Sequence, residues 1–577
     1  MRKNKKKLKK QIRISLFITF IIFINKSNYL HSSNFSVENK ELIVEKISDN
    51  SDDENIKKKQ NGFVIKTGKN DIFNIINKGI IKGNINKEVF DGWEDFFQEE
   101  VIFPNEMGWG NGIIYVDNNI SPLKNTLLTI NNTGVILGQF YSNNISRDHF
   151  PSGNGILNYK GENSGDLEIL NSGIISGNYI VKKLIDYSLA YVAASGSGNG
   201  IMNYHKSLEN DKKALAKLEN IGLISGYLNS PSYIGDIFSG NGIVSINLKK
   251  INNLGKINGE SILKTSNEYY EKTYNGLYHD GLGNGVLTAN FYNFNLNNSG
   301  MILGKSFAGN FFPDDPNNLQ NFFGYYDGTG NGIYLHDRYT NGKRGTEEGK
   351  PVLLISNGII SGNSKYDALS ENDNKLSHYY GNGNGVAYIG FLGDTSFSNY
   401  KYKFTMNINN SGLIKGYHEG ERIFTNKDNF GNETKFTETR FAKHDGSGIN
   451  YISDLEENNI DIDNNGLISG NTNKNLGNGI TFFITQPDMR VGEYEIKANF
   501  NLINSGMILG KDSSIYLDRV NVKYYQNTEN SNIILDIKNY GVLAGKNLVY
   551  VNEEKNTNNP HNNKLIEDEI KAYRGCY

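Results

Sequence analysis

Residues 460–480 read IDIDNNGLISGNTNKNLGNGI, and this stretch contains the two phrases that repeat along the chain of 577 residues. The first phrase, Ile462 to Gly470, contains an aliphatic residue, then Asn-x-Gly, then two mostly apolar residues, any residue and a second Gly. The second phrase, Gly477 to Ile480, is Gly-Asn-Gly followed by Ile or Val. Phrases that recur in this way indicate stacked copies of one structural unit.

The first phrase occurs eleven times between residues 75 and 545, with the same chemistry at the same offsets. Its first glycines are Gly79, Gly134, Gly173, Gly222, Gly255, Gly300, Gly358, Gly412, Gly466, Gly506 and Gly541. Ile or Leu stands four residues before this Gly in every copy, and Asn stands two before it in all but one, which has Ser356. Two residues after it stands Ile, or Leu543 in the last copy. The phrase therefore predicts a column of aliphatic side chains with members from every repeat.

The second phrase alternates with the first and sets the length of one turn. It occurs at residues 110–112, 153–155, 198–200, 240–242, 283–285, 330–332, 383–385 and 477–479, with Gly446-Ser447-Gly448 as an altered copy. The shortest run from the first phrase to the second is 11 residues, Gly466 to Gly477, and the shortest return is 13, Gly242 to Gly255. A minimal turn of about 24 residues suits one coil of a parallel β-helix, because solenoids repeat roughly every 20 to 50 residues.

The residues within each turn favour strands and corners. Apolar residues alternate with period two before each Asn-x-Gly, as Ile460 and Ile462 do, which is typical of a strand with one face inward. Asn-x-Gly and Gly-Asn-Gly supply residues that reach positive φ at little cost, so both phrases predict corners. Stacked about 4.8 Å apart, the Asn side chains of the first phrase are expected to bond to one another along the axis.

The fold class follows from these patterns. The sequence predicts an all-β chain that forms a single-stranded parallel β-helix solenoid of about eleven coils with loops of variable length. Its 63 Gly and 37% hydrophobic residues fit this fold, because the core of a solenoid is a narrow column. Ten steps between coils at about 4.8 Å give a shaft roughly 50 Å long.

The N-terminal segment has the pattern of an export signal. Met1 to Arg13 contains eight Lys or Arg, and Ile14 to Ile24 is apolar except for Ser15 and Thr19. An apolar run of this length is too short for an ordinary membrane span but matches the core of a secretory signal peptide. The predicted regions are a signal peptide at residues 1–33, a polar lead-in at 34–70, a β-helix at 71–551 and a polar tail at 552–577.

The charge balance limits the partners of the exported chain. Removing the nine positive charges of residues 1–33 changes the formal net charge from −2 to −11. A surface of that sign argues against nucleic acid or an anionic membrane as the partner. The single cysteine, Cys576, has no second cysteine with which to form a disulfide.

The basic signal and the alternation of Asn-Ser-Gly-[Ile/Met]-Ile-x-Gly with Gly-Asn-Gly-Ile resemble the passenger region of autotransporter, or type V secreted, surface proteins. The similarity is strongest to the large Asn- and Lys-rich passengers of fusobacteria, and it covers about residues 71–551. The resemblance implies a right-handed β-helix displayed outside the outer membrane, often as an adhesin, with a C-terminal β-barrel as its anchor.

The chain departs from that family after its last repeat. Only 32 residues follow Gly545, whereas a membrane barrel needs at least about eight strands of roughly ten residues. The Asn-Pro-Asn-Leu signature of two-partner exoproteins is not present, the nearest string being Asp315 to Leu319. The expectation is either a truncated reading frame or a separate translocator, so that contact with the outer membrane would need a barrel missing from this chain.

Segments between the phrases differ in length, and they are where specificity is expected. Two are rich in aromatic residues, Tyr269 to Asp280 and Phe311 to Asp327. Exposed aromatic rings suit contact with proteins or glycans, because they bury a large area at a small entropic cost. The alternative is that these rings fold back onto the shaft.

Histidine and aspartate stand next to each other at four places, and these pairs are the nearest approach to catalytic residues. They are Asp148-His149, His279-Asp280, His336-Asp337 and His444-Asp445. The pairs lie in different repeats and predict no triad. The sequence also has no Gly-x-Ser-x-Gly elbow, no phosphate-binding loop and no His-Glu-x-x-His. No catalytic residue, cofactor or metal site is therefore predicted.

Two functional hypotheses remain. The first is an exported cell-surface protein without catalytic activity, which mediates adhesion or self-association through its aromatic loops. Its partner would be a host or bacterial surface protein or glycan, or another copy of the chain. The second is a β-helical carbohydrate-active enzyme, either a polysaccharide lyase or a hydrolase.

Overall fold

The computed structural model describes the repeat region strand by strand. It describes residues 34–40, 42–44, 61–66, 72–91, 110–117, 127–146, 152–160, 166–186, 197–205, 215–230, 236–237, 239–246, 249–264, 277–289, 294–309, 324–336, 351–366, 378–380, 382–390, 403–419, 424–427, 433–436, 445–453, 455, 457–472, 477–484, 496–519, 532–553 and 571–574. Three long parallel sheets contain most of these residues, and each turn of the chain adds one strand to each sheet. The predicted all-β parallel solenoid is confirmed.

The first sheet contains the strand that precedes each Asn-x-Gly corner. Its thirteen described strands are β1 (Asn34–Asn39), β4 (Ile72–Asn77), β8 (Leu127–Asn132), β11 (Asp166–Asn171), β14 (Leu215–Asn220), β18 (Lys250–Asn253), β22 (Asn295–Asn298), β26 (Val352–Ser356), β30 (Lys403–Asn410), β35 (Glu457–Asn464), β38 (Lys497–Asn504), β41 (Asn532–Asn539) and β44 (Lys571–Arg574). From β1 to β41, every strand ends on the Asn or Ser of the phrase. The corner residues therefore fix where each strand stops.

The second sheet contains the strand that follows each Asn-x-Gly corner. Its described strands are β2 (Leu42–Val44), β5 (Ile80–Lys82), β9 (Val135–Ser146), β12 (Ile174–Asp186), β15 (Leu223–Ser230), β19 (Lys256–Lys264), β23 (Met301–Gly309), β27 (Ile359–Tyr366), β31 (Leu413–Glu419), β36 (Leu467–Thr472), β39 (Met507–Gly510) and β42 (Val542–Ala544), with β6 (Ile85–Asp91) also paired with β9.

The third sheet contains the strand that follows each Gly-Asn-Gly corner. Its twelve described strands are β3 (Phe63–Lys66), β7 (Ile113–Asp117), β10 (Ile156–Lys160), β13 (Ile201–His205), β17 (Ile243–Ile246), β21 (Val286–Ala289), β25 (Ile333–His336), β29 (Val386–Gly390), β34 (Ile449–Ser453), β37 (Ile480–Ile484), β40 (Ser513–Arg519) and β43 (Asn547–Glu553).

Two smaller sheets form from segments between the corners. Four short parallel strands stand before the Gly-Asn-Gly corners, namely β16 (Asp236–Ile237), β20 (Leu277–Asp280), β24 (Gly324–Asp327) and β28 (His378–Tyr380). One antiparallel pair consists of β32 (Phe424–Lys427) and β33 (Glu433–Phe436). The handedness of the main coil stays a prediction from the family resemblance.

The described solenoid begins earlier and ends later than the residues predicted from the repeats. Residues 34–70, predicted as a polar lead-in, contain β1, β2 and β3, which pair with β4, β5 and β7. Their turn has Asn39 and Asn61 in place, but the sequence has Glu41 and Gln60 where the phrases have Gly. In the predicted polar tail, β44 pairs with β41.

The core is a column, as predicted, and a second apolar layer lies beside it. In ten of the eleven copies Ile stands two residues after the Asn-x-Gly glycine; these side chains are buried and stack from coil to coil, as Ile414 does on Ile360 and Ile468. From β7 to β40 the described residues of the third sheet are buried on both faces, as in β29, β34 and β37, whereas its last strand, β43, exposes Leu548 and Tyr550. Its second face forms the layer Ile114, Leu157, Met202, Val244, Leu287, Tyr334, Ala387, Ile389, Ile452 and Phe483.

Glycine serves different purposes at the two corners. The first Gly of each Gly-Asn-Gly has positive φ, as predicted, for example 69° at Gly110 and 67° at Gly383. The glycines of Asn-x-Gly are not among the described positive-φ residues, so that part of the prediction is wrong. They are needed for space: a Cβ on Gly134 would stand 2.1 Å from the carbonyl oxygen of Gly79 in the preceding coil. The second Gly of the phrase, four residues later, packs against the backbone of a Gly-Asn-Gly corner. A Cβ on Gly138 would stand 1.8 Å from the carbonyl oxygen of Asn154 in such a corner.

The Asn residues of the first phrase form the predicted ladder inside the shaft. Asn220 is buried, accepts a hydrogen bond from Asn171 Nδ2 at 2.8 Å and donates one to Asn253 Oδ1 at 2.8 Å. The same bond joins Asn39 to Asn77, Asn77 to Asn132, Asn132 to Asn171, Asn253 to Asn298, Asn410 to Asn464, Asn464 to Asn504 and Asn504 to Asn539. At the Ser position the bond is longer, 3.4 Å from Asn298 Nδ2 to Ser356 Oγ. In each of these pairs, one side chain is thus bonded to its equivalent in the next coil.

A second ladder runs through the Gly-Asn-Gly corners and was not predicted. Here the backbone N–H of each coil donates to the Asn side chain of the coil before, as Asn241 N does to Asn199 Oδ1 at 2.8 Å. The series continues with Asn284 N to Asn241 Oδ1 at 2.6 Å and Asn331 N to Asn284 Oδ1 at 2.7 Å. Both corners of a coil are therefore hydrogen-bonded along the axis.

Replacing Asn220 with Ala should lower the free energy of unfolding by about 2 to 4 kcal/mol, because two buried ladder bonds are lost and their partners stay buried. Asn252→Ala is the matched control, since Asn252 lies on the outer side of β18, where its side chain accepts a surface hydrogen bond from Asn297; it should change stability by no more than about 0.5 kcal/mol. Urea unfolding followed by far-UV circular dichroism measures both. Equal losses in the two variants would contradict a stabilising ladder.

Replacing Ser356 with Asn should raise the free energy of unfolding by about 1 kcal/mol, because it restores a full ladder bond in a column already shaped for Asn. The exposed turn residue Ser299, changed to Asn, serves as control and should leave the unfolding midpoint unchanged. Thermal unfolding compares the variants, and a lower midpoint for Ser356→Asn would show that the Ser position is shaped for the smaller side chain.

Candidate functional surfaces

The aromatic inserts are described only at their ends. Most of Tyr269 to Asp280 and of Phe311 to Asp327 lies outside the described residues, and the described parts are β20 and β24. These strands pair in parallel, with Tyr278 opposite Tyr325 and His279 opposite Tyr326. The inserts of successive coils therefore end side by side, in register.

The end of one insert lies against the shaft. Gly328, directly after β24, has positive φ, and a Cβ built on it would stand 2.1 Å from ring atoms of Tyr334. Tyr334 belongs to the outer layer of the third sheet and is fully buried. At this coil Gly328 therefore packs against the outer face of the third sheet and helps to bury it.

The four His-Asp pairs do not form one site among the described residues. His279 and Asp280 lie on β20, His336 lies on β25 in the next coil, and Asp445 lies before β34. His336 is buried and meets the Tyr334 ring edge-on, with centroids 5.2 Å apart. Asp148, His149, Asp337 and His444 lie outside the described residues.

The structure instead brings Asp445 together with two residues that the sequence analysis missed. Ser364 Oγ lies 2.7 Å from His418 Nδ1, and His418 Nε2 lies 3.9 Å from Asp445 Oδ2. Ser364 and His418 pair in register on β27 and β31, each six residues after the Gly of its phrase. That common offset is the sequence signal that could have placed them next to each other.

Serine, histidine and aspartate are the residue types of nucleophilic catalysis, but their placement here is that of a structural cluster. Ser364, His418 and Asp445 are 0%, 6% and 2% exposed, so a substrate cannot reach the serine oxygen from solvent. The other carboxylate oxygen, Asp445 Oδ1, accepts a hydrogen bond from the backbone N–H of Asn382 at 2.8 Å. Asp445 thereby satisfies a polar group of the neighbouring coil.

The cluster is part of a polar seam inside the shaft. The seam residues on the second sheet occupy the position six after the first Gly, which is apolar in the early coils and polar from Ser261 onward. In order they are Phe140, Tyr179, Leu228, Ser261, Ser306, Ser364, His418 and Thr472, all buried. The other side of the seam consists of the residues that directly precede the Gly-Asn-Gly corners. Thr329 and Asn382 are two of them, in successive coils, and Thr329 Oγ1 donates a hydrogen bond to Asn382 Oδ1 at 3.0 Å. These bonds link coils to each other, as the ladders do.

Replacing Asp445 with Ala should lower the free energy of unfolding by about 2 to 3 kcal/mol, because the Asn382 N–H would stay buried without its acceptor. Asp445→Asn keeps an oxygen at Oδ1 and should lose less than half as much. Urea unfolding of the two variants at neutral pH separates them. If Asn were as damaging as Ala, the negative charge of Asp445 rather than its acceptor oxygen would be what the cluster needs.

The outer face of the first sheet is amide-rich. Asn297 donates to Asn252 at 3.1 Å, and Asn501 donates to Asp461 at 2.7 Å, both between exposed side chains of adjacent coils. This face therefore offers repeated donors and acceptors at the spacing of the coils.

The outer face of the second sheet has a different character. Directly after the Gly of each Asn-x-Gly stands an outward residue that is aliphatic in ten of eleven coils. We call this column the aliphatic stripe: Ile80, Val135, Ile174, Leu223, Lys256, Met301, Ile359, Leu413, Leu467, Met507 and Val542. Its members pair in register from each coil to the next. They are half-buried or exposed, with 38% exposure at Ile174 and 42% at Met507.

Polar and charged groups border the stripe. Lys305 Nζ lies 2.7 Å from Glu260 Oε1, and Lys365 Nζ lies 2.7 Å from Glu419 Oε1, each pair joining adjacent coils on the same face. An apolar strip with a polar border is the arrangement of a protein contact surface.

A buried tyrosine near the last described coils is held in its neutral form. Tyr516 Oη donates to Asp518 Oδ2 at 3.0 Å, and the Tyr516 ring stacks on Tyr550 with centroids 5.5 Å apart. Burial, and then the negative charge of Asp518, raise the pKa of the Tyr516 hydroxyl above its ordinary value. The phenol therefore stays a hydrogen-bond donor and is no nucleophile at neutral pH.

Within the described ranges, no group of three or more His, Cys, Asp or Glu side chains could hold a metal ion. The same residues include no helix long and apolar enough to cross a membrane. Comparison with known proteins found no matching family model, no matching curated protein and no matching solved structure.

Proposed function

We propose that this chain is an exported, noncatalytic surface protein whose β-helix displays inserts for adhesion, as the resemblance to autotransporter passengers suggests. The observation that carries the proposal is that folding accounts for the repeated residues themselves. The Asn side chains bond along the axis, the Ile side chains fill the column and the glycines make room for neighbouring backbone. Specific recognition is left to the inserts and to the outer faces.

The shape of the molecule supports display. A solenoid extends in one direction as coils are added, and it presents long surfaces on which segments of different length can be carried. The described inserts end in register in the small sheet of β16, β20, β24 and β28, so neighbouring inserts are presented together. A host or bacterial surface protein or a glycan is the partner that aromatic inserts would suit, since rings bury area at small entropic cost and stack on flat faces.

The burial of the Ser364, His418 and Asp445 cluster supports a noncatalytic role. A nucleophile must meet its substrate, and the serine oxygen lies inside the coil. The negative charge of the exported chain supports a partner other than nucleic acid.

Removal of the two aromatic inserts should abolish most adhesion while the fold remains. Residues 265–276 and 310–323 lie between the described strands, so a short Gly-Ser linker in place of each leaves β19, β20, β23 and β24 intact. Binding of the labelled full chain to cells, matrix proteins and a glycan array should fall at least tenfold. Replacement of residues 337–350, an insert as long as 310–323 with a single aromatic residue, is the matched control and should retain binding.

Unchanged adhesion after both aromatic deletions would overturn the role of the inserts. New reducing ends or unsaturated products from a polysaccharide panel would overturn the noncatalytic assignment. Loss of such products in Ser364→Ala would then locate the reaction at the buried cluster, with Ser306→Ala, one coil earlier in the same seam, as control.

A further inference from the structure

The aliphatic stripe is not needed for the core, which makes its composition informative. The neighbouring Ile, two residues after the same Gly, already fills the column, so the stripe position faces outward and could be polar. The corresponding outward positions of the first sheet are largely polar, as at Asn252, Asn297 and Asp463. Soluble proteins seldom expose a contiguous apolar patch of several hundred Å² unless it is a contact surface.

We propose that the aliphatic stripe is the contact surface between two copies of this chain, packed side by side. The inference rests on the proposed function and deepens it by naming one partner. In a twofold dimer the same patch lies on both sides of the contact, so a stripe present on every copy supplies both halves.

The repeat distance favours a second solenoid over a globular partner. The stripe has eleven rungs about 4.8 Å apart, or roughly 50 Å in total, whereas a small globular domain is about 30 Å across. A second solenoid has the same spacing along its full length, so its side chains can fill the gaps between rungs from one end to the other. Lys256, the one polar member, can lay its apolar stem along the stripe and keep its ammonium group in water.

The area is close to that of a stable dimer. The stripe and the next two outward columns span about 14 Å across the strands, which over a length of about 50 Å gives on the order of 700 Å² per copy. A standard protein interface buries about 800 Å² per partner. Two of the carboxylates on this face, Glu260 and Glu419, bring little net charge to the contact, because they are paired within the chain with Lys305 and Lys365.

The test is the oligomeric state of the full chain measured by sedimentation equilibrium. The stripe variant Ile174→Ser/Met301→Ser/Met507→Ser should raise the dimer dissociation constant at least tenfold. The control Leu170→Ser/Ile503→Ser/Ile534→Ser removes apolar residues of matched exposure, 36%, 43% and 37%, from the first sheet, and should leave the constant unchanged. Far-UV circular dichroism checks that both variants fold.

A second measurement needs no variant. In a dimer, the thioethers of Met301 and Met507 are covered, so their oxidation by peroxide should slow several-fold as the wild-type chain is concentrated. Met202 and Met406, buried within the shaft, should oxidise slowly at every concentration.

The inference is overturned if the chain is monomeric at tens of micromolar with concentration-independent oxidation. It is also overturned if both triple variants weaken the dimer equally, or if the monomer uses the stripe to bind lipid vesicles. A monomer that still adheres through its inserts would leave the proposed function standing. A dimer that adheres to nothing would uphold the stripe contact and remove the proposed function.

Discussion

The hydrogen bonding of each coil to the next at its corners is the constraint on which the rest of this structure depends. Between corners the backbone is paired by the sheets, and at the corners backbone N–H groups also bond to the neighbouring coil, as those of Ser172 and Gly173 do to the carbonyl oxygen of Asn132. The two ladders add side-chain hydrogen bonds to these, in opposite directions. At Asn-x-Gly the side-chain NH2 of one coil donates forward to the next Asn, and at Gly-Asn-Gly the next backbone N–H donates back to the side-chain oxygen. Coils with these Asn residues, such as those of Asn220 and Asn241, are thereby held to a neighbour at their corners, whatever the length of their inserts.

This arrangement explains why the inserts can vary while the shaft does not. A ladder bond connects coils that are neighbours in space but between 33 and 63 residues apart in the chain. The bond requires only that the corner residues of the two coils lie opposite each other, in register. Loop length adds entropic cost slowly, so inserts of different size are tolerated as long as the corner residues are kept. The glycines serve the same end, since Gly138 and Gly134 allow backbone contacts that any Cβ would block.

The fold could be predicted from the sequence because the two phrases that define it occur many times, each with the same residue types at the same offsets. Features that depend on a single or an altered copy of a phrase could not be predicted. The turn containing Asn39 and Asn61 keeps both ladder residues, with Asn39 donating to Asn77, but lacks both Gly of the first phrase and the first Gly of the second. The second apolar layer was missed because burial of both faces of the third sheet depends on what the inserts cover, as at Tyr334. Ser364, His418 and Asp445 come together only through the register of separate coils, which a linear reading of adjacent His and Asp residues does not detect.

Two nearby positions of the first phrase therefore have different structural roles. The residue two after the Gly points inward and builds the column, and the residue directly after it points outward and builds the stripe, because side chains alternate along a strand. Stacking in register converts each position into a line along the shaft. A solenoid thus amplifies a preference at one position into a surface about 50 Å long, whereas in a globular domain the same aliphatic residues would be scattered. The stripe and the inserts are physically independent for this reason: substitutions in the stripe need not alter the inserts, and replacement of the inserts need not alter the stripe.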